Sequence, residues 1–223
     1  PSVTKVRKKD LKKGYLTTRV KFTPDLTRFV GMANLYPMHA LVKTRMVQLS
    51  ATLCGKVKFF FNDEEIKISS FKQYMGLYQF EKSMFETLSP KFEYGFALSE
   101  SGEFKHDSFV NNLATTLGGT HVNMVTSQLI AVVADYFAKK YKKSNAKLSK
   151  ASIRNKLHMF VNCRITNPEF RSQSKSYLTS SLRKNDFTIN AKRALATAKA
   201  SGMLDTLEEM LSRKEMDGLS ATN

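Results

Sequence analysis

The sequence is poor in several residue types that mark particular classes of protein. It has no tryptophan, two cysteines and five prolines among 223 residues. No apolar run approaches the roughly 18 residues that a membrane-spanning helix needs. The basic residues 1–15 are not followed by the apolar core of a signal peptide. These absences predict an intracellular chain that is neither secreted nor embedded in a membrane.

Cysteine and histidine are too sparse and too scattered to indicate a disulfide or a metal site. Cys54 and Cys163 lie far apart, have no CxxC spacing, and each falls in an otherwise apolar stretch. Both are therefore predicted to be reduced core residues. No metal-ligand spacing occurs among the histidines, which are His39, His106, His121 and His158. We expect no metal to be held by this chain alone.

Common enzyme signatures are also missing, since there is no P-loop, GxGxxG, HExxH or GxSxG motif. Positive charge, in contrast, is in excess: 36 Lys and Arg face 19 Asp and Glu, and the formal net charge is +17. Such a surface attracts polyanions, so DNA or RNA is the natural partner. Neutralisation of an acidic neighbouring domain would explain the same charge.

The first half of the chain is predicted to be rich in strands. LTTRVKF, residues 16–22, alternates like a half-buried strand, and apolar positions spaced three and four apart predict a helix over residues 37–53. Asn62-Asp63-Glu64 separates two apolar segments and predicts a β-hairpin. Ser70 follows and is placed to cap a short helix. A second hairpin is predicted between FEYGFALS and the strand that begins at Phe104.

The second half is predicted to be mainly helical. Apolar residues over 122–137 recur at helical spacing, with Thr120 or Asn123 available as the cap. Apolar positions over 191–211 predict one long helix or two consecutive helices, with Gly202 as a kink. The simplest architecture is α+β, with strands in a layer beneath helices.

The best candidates for chemistry lie in a polar loop after a predicted strand, residues 157–166. The loop contains Gln173, Ser174 and Lys175. A lysine at a loop tip is a flexible positive charge with three donors, suited to a terminal phosphate, and a neighbouring Gln amide donates a further hydrogen bond. From the residues alone, a solvated lysine without a role explains the pattern more simply.

A second group of cations closes the helix predicted over residues 122–137. It consists of Lys139, Lys140, Lys142 and Lys143. Cations complement the carbonyl end of a helix, which is the simpler explanation of the group. Contact with DNA is the alternative.

Two motifs give the chain a family resemblance. GGTHVNMVTSQL, residues 118–129, resembles the GGTH motif of type IIA DNA topoisomerases. MFVNCRITNPEFRSQSK, residues 159–175, resembles that family's strand followed by a P-x-F-x-x-Q-T-K loop. Residues 20–29 and 59–78 are similar to two further segments of the family. The VNC and THVN stretches resemble its eukaryotic, viral or phage branch more than bacterial gyrase.

The resemblance implies the transducer region of such an enzyme, with a fold like domain 2 of ribosomal protein S5. In that fold a mixed four-stranded sheet is backed by helices and followed by a long C-terminal helix. Residues 1–185 would form the transducer, and residues 186–223 the helical segment and linker toward the DNA-cleavage core. The alternatives are a stand-alone nucleic-acid-binding module and the transducer of a mismatch-repair ATPase or an Hsp90-like chaperone. The GGTH stretch counts against both.

Site residues follow from the same resemblance. Gln173 and Lys175 would reach the γ-phosphate of ATP in the preceding ATPase domain, and Ser174 stands where the family usually has Thr. Gly118 and Gly119 would allow a backbone turn that a side chain would obstruct. His121 would be a hydrogen-bonded residue of that turn rather than a ligand contact.

The complete enzyme implied by the resemblance couples ATP hydrolysis to DNA strand passage. It would use ATP and Mg²⁺, bind double-stranded DNA, and assemble as a homodimer or from several subunits. This chain would be a fragment without complete ATPase or cleavage sites, and its partners would include the enzyme's own ATPase and TOPRIM/cleavage domains. The enzyme would work in the nucleus, in another DNA-containing compartment, or in the cytoplasm of a host cell.

Overall fold

The structure is a computed structural model, and it describes residues 18–23, 25, 36–142, 148–183 and 187–220. The chain divides into two compact units, residues 1–41 and residues 42–223. Among the described residues, no helix is both long enough and apolar enough to cross a membrane.

The described residues form helices and strands in mixed order. In chain order the elements are α1 (Tyr36–Thr52), β1 (Phe60–Phe61), β2 (Glu64–Glu65), α2 (Phe71–Gly76), β3 (Ser83–Ser89), β4 (Phe92–Leu98), β5 (Lys105–Val110), β6 (Leu113–Ala114), β7 (Gly118–Gly119), α3 (Thr120–Lys140), α4 (Lys150–Arg154), β8 (Leu157–Cys163), β9 (Tyr177–Leu178), α5 (Ala191–Ala200) and α6 (Met203–Ser220). Strands β1 and β2 form the predicted first hairpin, and the positive φ angles of Asn62 and Asp63 suit its tight turn. Ser70 caps α2 as predicted, since its side chain accepts a hydrogen bond from the Gln73 N–H.

A five-stranded mixed sheet lies at the centre of the unit formed by residues 42–223. Its strand order is β3-β4-β8-β5-β6. Strand β8 pairs antiparallel with β4 and parallel with β5. The mixed sheet with packed helices confirms the predicted α+β class, and the two-residue β6 adds a short edge to the four longer strands.

The hairpin predicted between β4 and β5 is wrong, because β8 lies between these two strands. All seven residues of β8 are buried, as is typical of a strand that is covered on both faces. Strand β4 forms its hairpin with β3 instead. The apolar pattern did not predict β3, because Ser, Glu and Thr interrupt its short sequence.

Helices cover both faces of the sheet. On one face, α3 buries Val125 and Leu129 in a core shared with β4, β8, α5 and α6. On the opposite face, α2 packs Phe71 against Phe109 of β5, with ring centroids 5.8 Å apart. A fully buried side chain of this size contributes roughly 1.5–3 kcal/mol to folding. The sheet is therefore held between two apolar layers.

The C-terminal pattern forms two consecutive helices, α5 and α6, rather than one. Gly202 separates them with a φ of 70°, a conformation that glycine adopts readily. Helix α6 continues to Ser220. The boundary predicted between residues 185 and 186 falls outside the described residues and stays a prediction.

Three further local predictions differ from the structure. Residues 18–22 of the first predicted strand form neither helix nor strand, and residues 16–17 lie outside the described part. Helix α3 has no side-chain cap, because its cap position is Gly119; Thr120 is the first residue of the helix, and its hydroxyl donates to the Ser180 carbonyl at 2.7 Å. Cys163 is buried as predicted, but Cys54 is exposed.

Candidate functional site

The loop around Lys175 forms the tip of a β-hairpin. The Arg171 N–H donates a hydrogen bond of 3.0 Å to the Tyr177 carbonyl, so the two arms run side by side. The Lys175 N–H closes the turn by donating to the Ser172 carbonyl, also at 3.0 Å. We refer to residues 169–179 as the tip hairpin.

The residues at the end of the tip hairpin are exposed. Lys175 has a φ of 56°, which is uncommon for a residue with a side chain. Within the described part of the chain, neither its ammonium nor the Gln173 amide has a hydrogen bond or an ion pair. The serine hydroxyls, in contrast, bond to one another: Ser172 to Ser174 at 2.8 Å and Ser174 to Ser176 at 3.0 Å. The amide and the ammonium are thus available to a ligand.

The tip hairpin is joined to the Gly118-Gly119 segment. Strands β7 and β9 pair in parallel, with Gly118 opposite Tyr177 and Gly119 opposite Leu178. We refer to this pairing as the junction. Gly119 has a φ of 143°, and a Cβ at that position would lie 2.5 Å from the Leu178 carbonyl oxygen. The close approach of the two backbones therefore requires glycine.

His121 lies fully buried at the start of α3, beside the junction. Its Nε2 atom is 3.1 Å from Thr115 Oγ1, which is 2.7 Å from Ser108 Oγ, and a further contact of 3.2 Å reaches His106 Nδ1. Burial, with a smaller contribution from His106, lowers the pKa of His121 to about 3. Among the described residues its Nδ1 atom has no hydrogen-bond partner. A neutral ring has no positive charge with which to attract a phosphate.

Helix α3 is tied to the chain that leads into the C-terminal helices. The Gln128 side chain donates to the Phe187 carbonyl at 2.9 Å and accepts from the Ile189 N–H at 3.3 Å. Helix α3 also packs on α5, whose Ala194 and Ala198 are fully buried, and α5 packs on α6. The junction, α3 and the two C-terminal helices are therefore connected by continuous packing.

Comparison with protein families identifies the chain. The family model described as DNA gyrase B matches residues 57–213, more than half of the sequence. The chain belongs to the DNA gyrase B family. DNA topoisomerase 2 of Saccharomyces cerevisiae is 35% identical over 189 residues, which cover 75% of this chain and 13% of the relative. DNA topoisomerase 2 of Penicillium chrysogenum is 40% identical over 182 residues, covering 75% and 11%. The chain thus spans a small part of the length of these curated relatives.

Solved structures agree with this assignment. The ATPase and transducer domains of DNA topoisomerase II from Balamuthia mandrillaris match with a TM-score of 0.78 and 25% identity, covering 86% of this chain and 49% of that one. The ATPase region of Saccharomyces cerevisiae topoisomerase II matches with a TM-score of 0.69 and 30% identity, covering 83% and 48%. These findings confirm the resemblance: this gyrase B family chain corresponds to the transducer region of type IIA topoisomerases.

The lysines that close α3 in this gyrase B family chain differ in their surroundings. Lys139 and Lys142 are exposed. Lys140 forms an ion pair with Glu208 of α6, and its ammonium lies 5.4 Å from the centre of the Tyr141 ring. The hydrogen bond to Glu208 raises the pKa of Lys140. Lys143 lies outside the described residues. No sequence pattern indicated that one of these cations would be tied to the C-terminal helix.

A second polar cluster, not singled out from the sequence, surrounds Asp107 of β5. Its carboxylate accepts from the Tyr74 and Tyr78 hydroxyls at 3.0 and 2.8 Å and lies 2.8 Å from His158 Nε2. Burial alone would raise the pKa of Asp107, but the three hydrogen bonds lower it. A cavity of about 560 Å³ adjoins the cluster and is also lined by His106. A carboxylate within a half-buried strand was the only signal of this cluster in the sequence.

Within the part of the chain that the structure describes, the acidic and thiol side chains do not converge on a cation site. Among the described residues, no group of three or more His, Cys, Asp or Glu is arranged to hold a metal ion. The features that the family motifs bring together are instead the exposed donors of the tip hairpin and the buried junction beneath them.

Proposed function

We propose that this chain senses the γ-phosphate of ATP in an ATP-dependent type II DNA topoisomerase and couples ATP hydrolysis to DNA strand passage. The observation that supports the proposal is the junction. It joins the exposed Gln173 and Lys175 to the start of α3 through paired backbones that leave no room for a side chain at Gly119. A force on the tip is therefore carried by the backbone rather than absorbed by a loose loop.

The tip hairpin has the chemistry that a phosphate requires. The Lys175 ammonium and the Gln173 amide offer hydrogen-bond donors, and no acidic residue occurs between positions 170 and 184. A charge-assisted hydrogen bond contributes about 1.5–3 kcal/mol. Because hydrolysis and phosphate release would remove that contact, the balance between two positions of the tip would shift by the same amount. Mg²⁺ prefers carboxylate and water oxygens, so we assign no Mg²⁺ ligand to the tip.

Transmission would follow the packed elements behind the tip. The junction places Leu178 against Gly119, α3 begins at the next residue, and Gln128 of α3 holds the segment that leads to α5. Loss of the phosphate contact would let these elements move together as a rigid body. In the complete enzyme the moving part would be α6 and the chain beyond it, toward the DNA-cleaving core.

DNA is proposed as the macromolecular partner of the complete enzyme, which would act as a dimer in a DNA-containing compartment. The net charge of +17 favours a polyanion. Lys139, Lys140 and Lys142 are exposed at the α3 end, but Lys140 already pairs with Glu208, and Lys143 belongs to the same run. Reversing the charge of Lys139 and Lys142 should weaken the stimulation of ATP hydrolysis by DNA, more at low salt than at high salt. Unchanged stimulation at low salt would exclude them as contacts.

The central experiment replaces Lys175 with alanine in the complete enzyme. We expect ATP turnover to fall about 10- to 100-fold, as the loss of one charge-assisted bond in the transition state implies. The matched control is Lys91→Ala, which removes an exposed lysine from the turn between β3 and β4. Full turnover in Lys175→Ala, with both variants folded, would refute the proposed sensing role.

A further inference from the structure

Arg171 is the second cation of the tip hairpin, at a position that the P-x-F-x-x-Q-T-K pattern leaves unspecified. Its guanidinium carbon lies 4.0 Å from the centre of the Tyr177 ring on the opposite arm. The two residues also share a backbone hydrogen bond of 3.0 Å. This stack of the Arg171 guanidinium on the Tyr177 ring is therefore supported by paired backbone, close to the turn that carries Lys175.

The stack fixes the guanidinium and leaves its donors unused. A guanidinium over an aromatic face keeps its N–H groups directed outward in its own plane, where they match the oxygens of a phosphate. Arg171 is exposed, and within the described residues its side chain has no ion pair or hydrogen bond. Ordering it beforehand lowers the entropy lost when a ligand binds.

Two other arginines show what an internally used guanidinium does in this fold. Arg193 lies 3.7 Å from a Glu86 carboxylate oxygen and donates to a backbone carbonyl. Arg45 donates to the Asn112 carbonyl at 2.6 Å. These side chains hold elements of the fold together, whereas the Arg171 side chain holds nothing but its own position on Tyr177.

We propose that Arg171 is a second phosphate-binding residue of the tip hairpin, oriented by Tyr177. The inference rests on the proposed function and adds to it: Lys175 supplies a mobile point charge, and Arg171 supplies a planar fork beside it. The ligand chemistry is a phosphate oxyanion. Its two sources are the terminal phosphate of the nucleotide and a phosphate of bound DNA.

The test uses the complete enzyme, with ATP hydrolysis measured against ATP concentration without DNA and then with DNA at two salt concentrations. Arg171→Ala should raise the KM for ATP about tenfold. Arg171→Lys, which keeps the charge and loses the fork, should give an intermediate value. Tyr177→Leu should raise KM about threefold, because it removes only the stacking partner. The double variant, Arg171→Ala with Tyr177→Leu, should have a KM for ATP no higher than that of Arg171→Ala alone.

Arg154→Ala is the matched control, because the Arg154 guanidinium also lies 4.0 Å from an aromatic ring, that of Phe104, but outside the tip hairpin. Its KM should be unchanged. An unchanged KM in Arg171→Ala with a salt-dependent loss of DNA stimulation would identify DNA as the source of the phosphate. No change in either assay would overturn the inference. If Lys175→Ala is impaired in that case, the proposed function stands without Arg171; if Lys175→Ala is also normal, both fail.

Discussion

The two ends of α3 are held by opposite means. At its start, Gly119 and Leu178 pair through their backbones, and His121 is buried in a line of polar contacts. At its end, exposed lysines project from the surface, and Lys140 bonds to Glu208. Backbone pairing in a dry environment is rigid, whereas an exposed ion pair is screened by water and salt.

The difference shows where the helix can transmit a movement and where it can tolerate change. A displacement at the junction is transmitted directly to α3, because the Gly119 backbone packs closely against Leu178 of the opposite strand. A displacement at the lysine end is absorbed by long side chains that are free to reorient. Substitutions should therefore have large effects at the first end and small effects at the second.

The largest effect is expected for Gly119→Ala. The new Cβ would lie 2.5 Å from the Leu178 carbonyl oxygen in a backbone conformation that suits glycine alone, so the junction must open. We expect a loss of about 3 kcal/mol in the free energy of unfolding, measured by urea denaturation. Gly102→Ala is the control, because its φ of 69° is also positive but its Cβ would meet open space. It should cost about 1 kcal/mol. Equal losses of unfolding free energy in the two variants would contradict the close approach of Gly119 to Leu178.

An intermediate effect is expected from His121 as the pH falls. Its folded pKa of about 3 lies below the ordinary value of 6.5, so below pH 6.5 the unfolded chain takes up a proton that the folded chain does not. This linkage costs about 1.4 kcal/mol per pH unit, or about 2 kcal/mol at pH 5. His121→Gln should lose less stability than the unmodified chain between pH 7.5 and pH 5 in urea unfolding. An unchanged slope in His121→Gln would show that the buried ring is not the cause.

The smallest effect is expected at the other end of the helix. Lys140→Ala and Glu208→Ala, combined in a double-mutant cycle, should show a weak coupling that declines further as salt is added, because the pair is exposed to solvent. A coupling as large as the effect of Gly119→Ala would reverse the proposed contrast between the two ends.

Much of the fold could be predicted from local pattern. The apolar period of α3, the Asn62-Asp63 turn and the Ser70 cap depend on residues close in sequence, and each was predicted. The insertion of β8 between β4 and β5 depends on pairing between distant segments, and neither strand carries a local signal of its neighbour. The order in which these strands pair was therefore predicted wrongly, although the strands themselves were predicted correctly.

The same limit applies to the site. Gly118, Gly119 and the loop around Lys175 were singled out because motifs mark them, and the structure brings them together at the junction. The contact of Arg171 with Tyr177 and the line from His121 to His106 arise from strand register and folding of the chain over the sheet. Neither contact leaves a local pattern in the sequence. The assigned roles of Gln173, Lys175 and the exposed lysines remain predictions.

In chain order, the central strand β8 is the last of the five strands of the sheet. Until Leu157–Cys163 leaves the ribosome, the edge of β4 and the edge of β5 that later pair with β8 have no partner. Open edges of this kind recruit other chains. A nascent chain that stalls before residue 157 would therefore expose two unpaired strand edges. Pairing of the single apolar strand β8 would cover both of them.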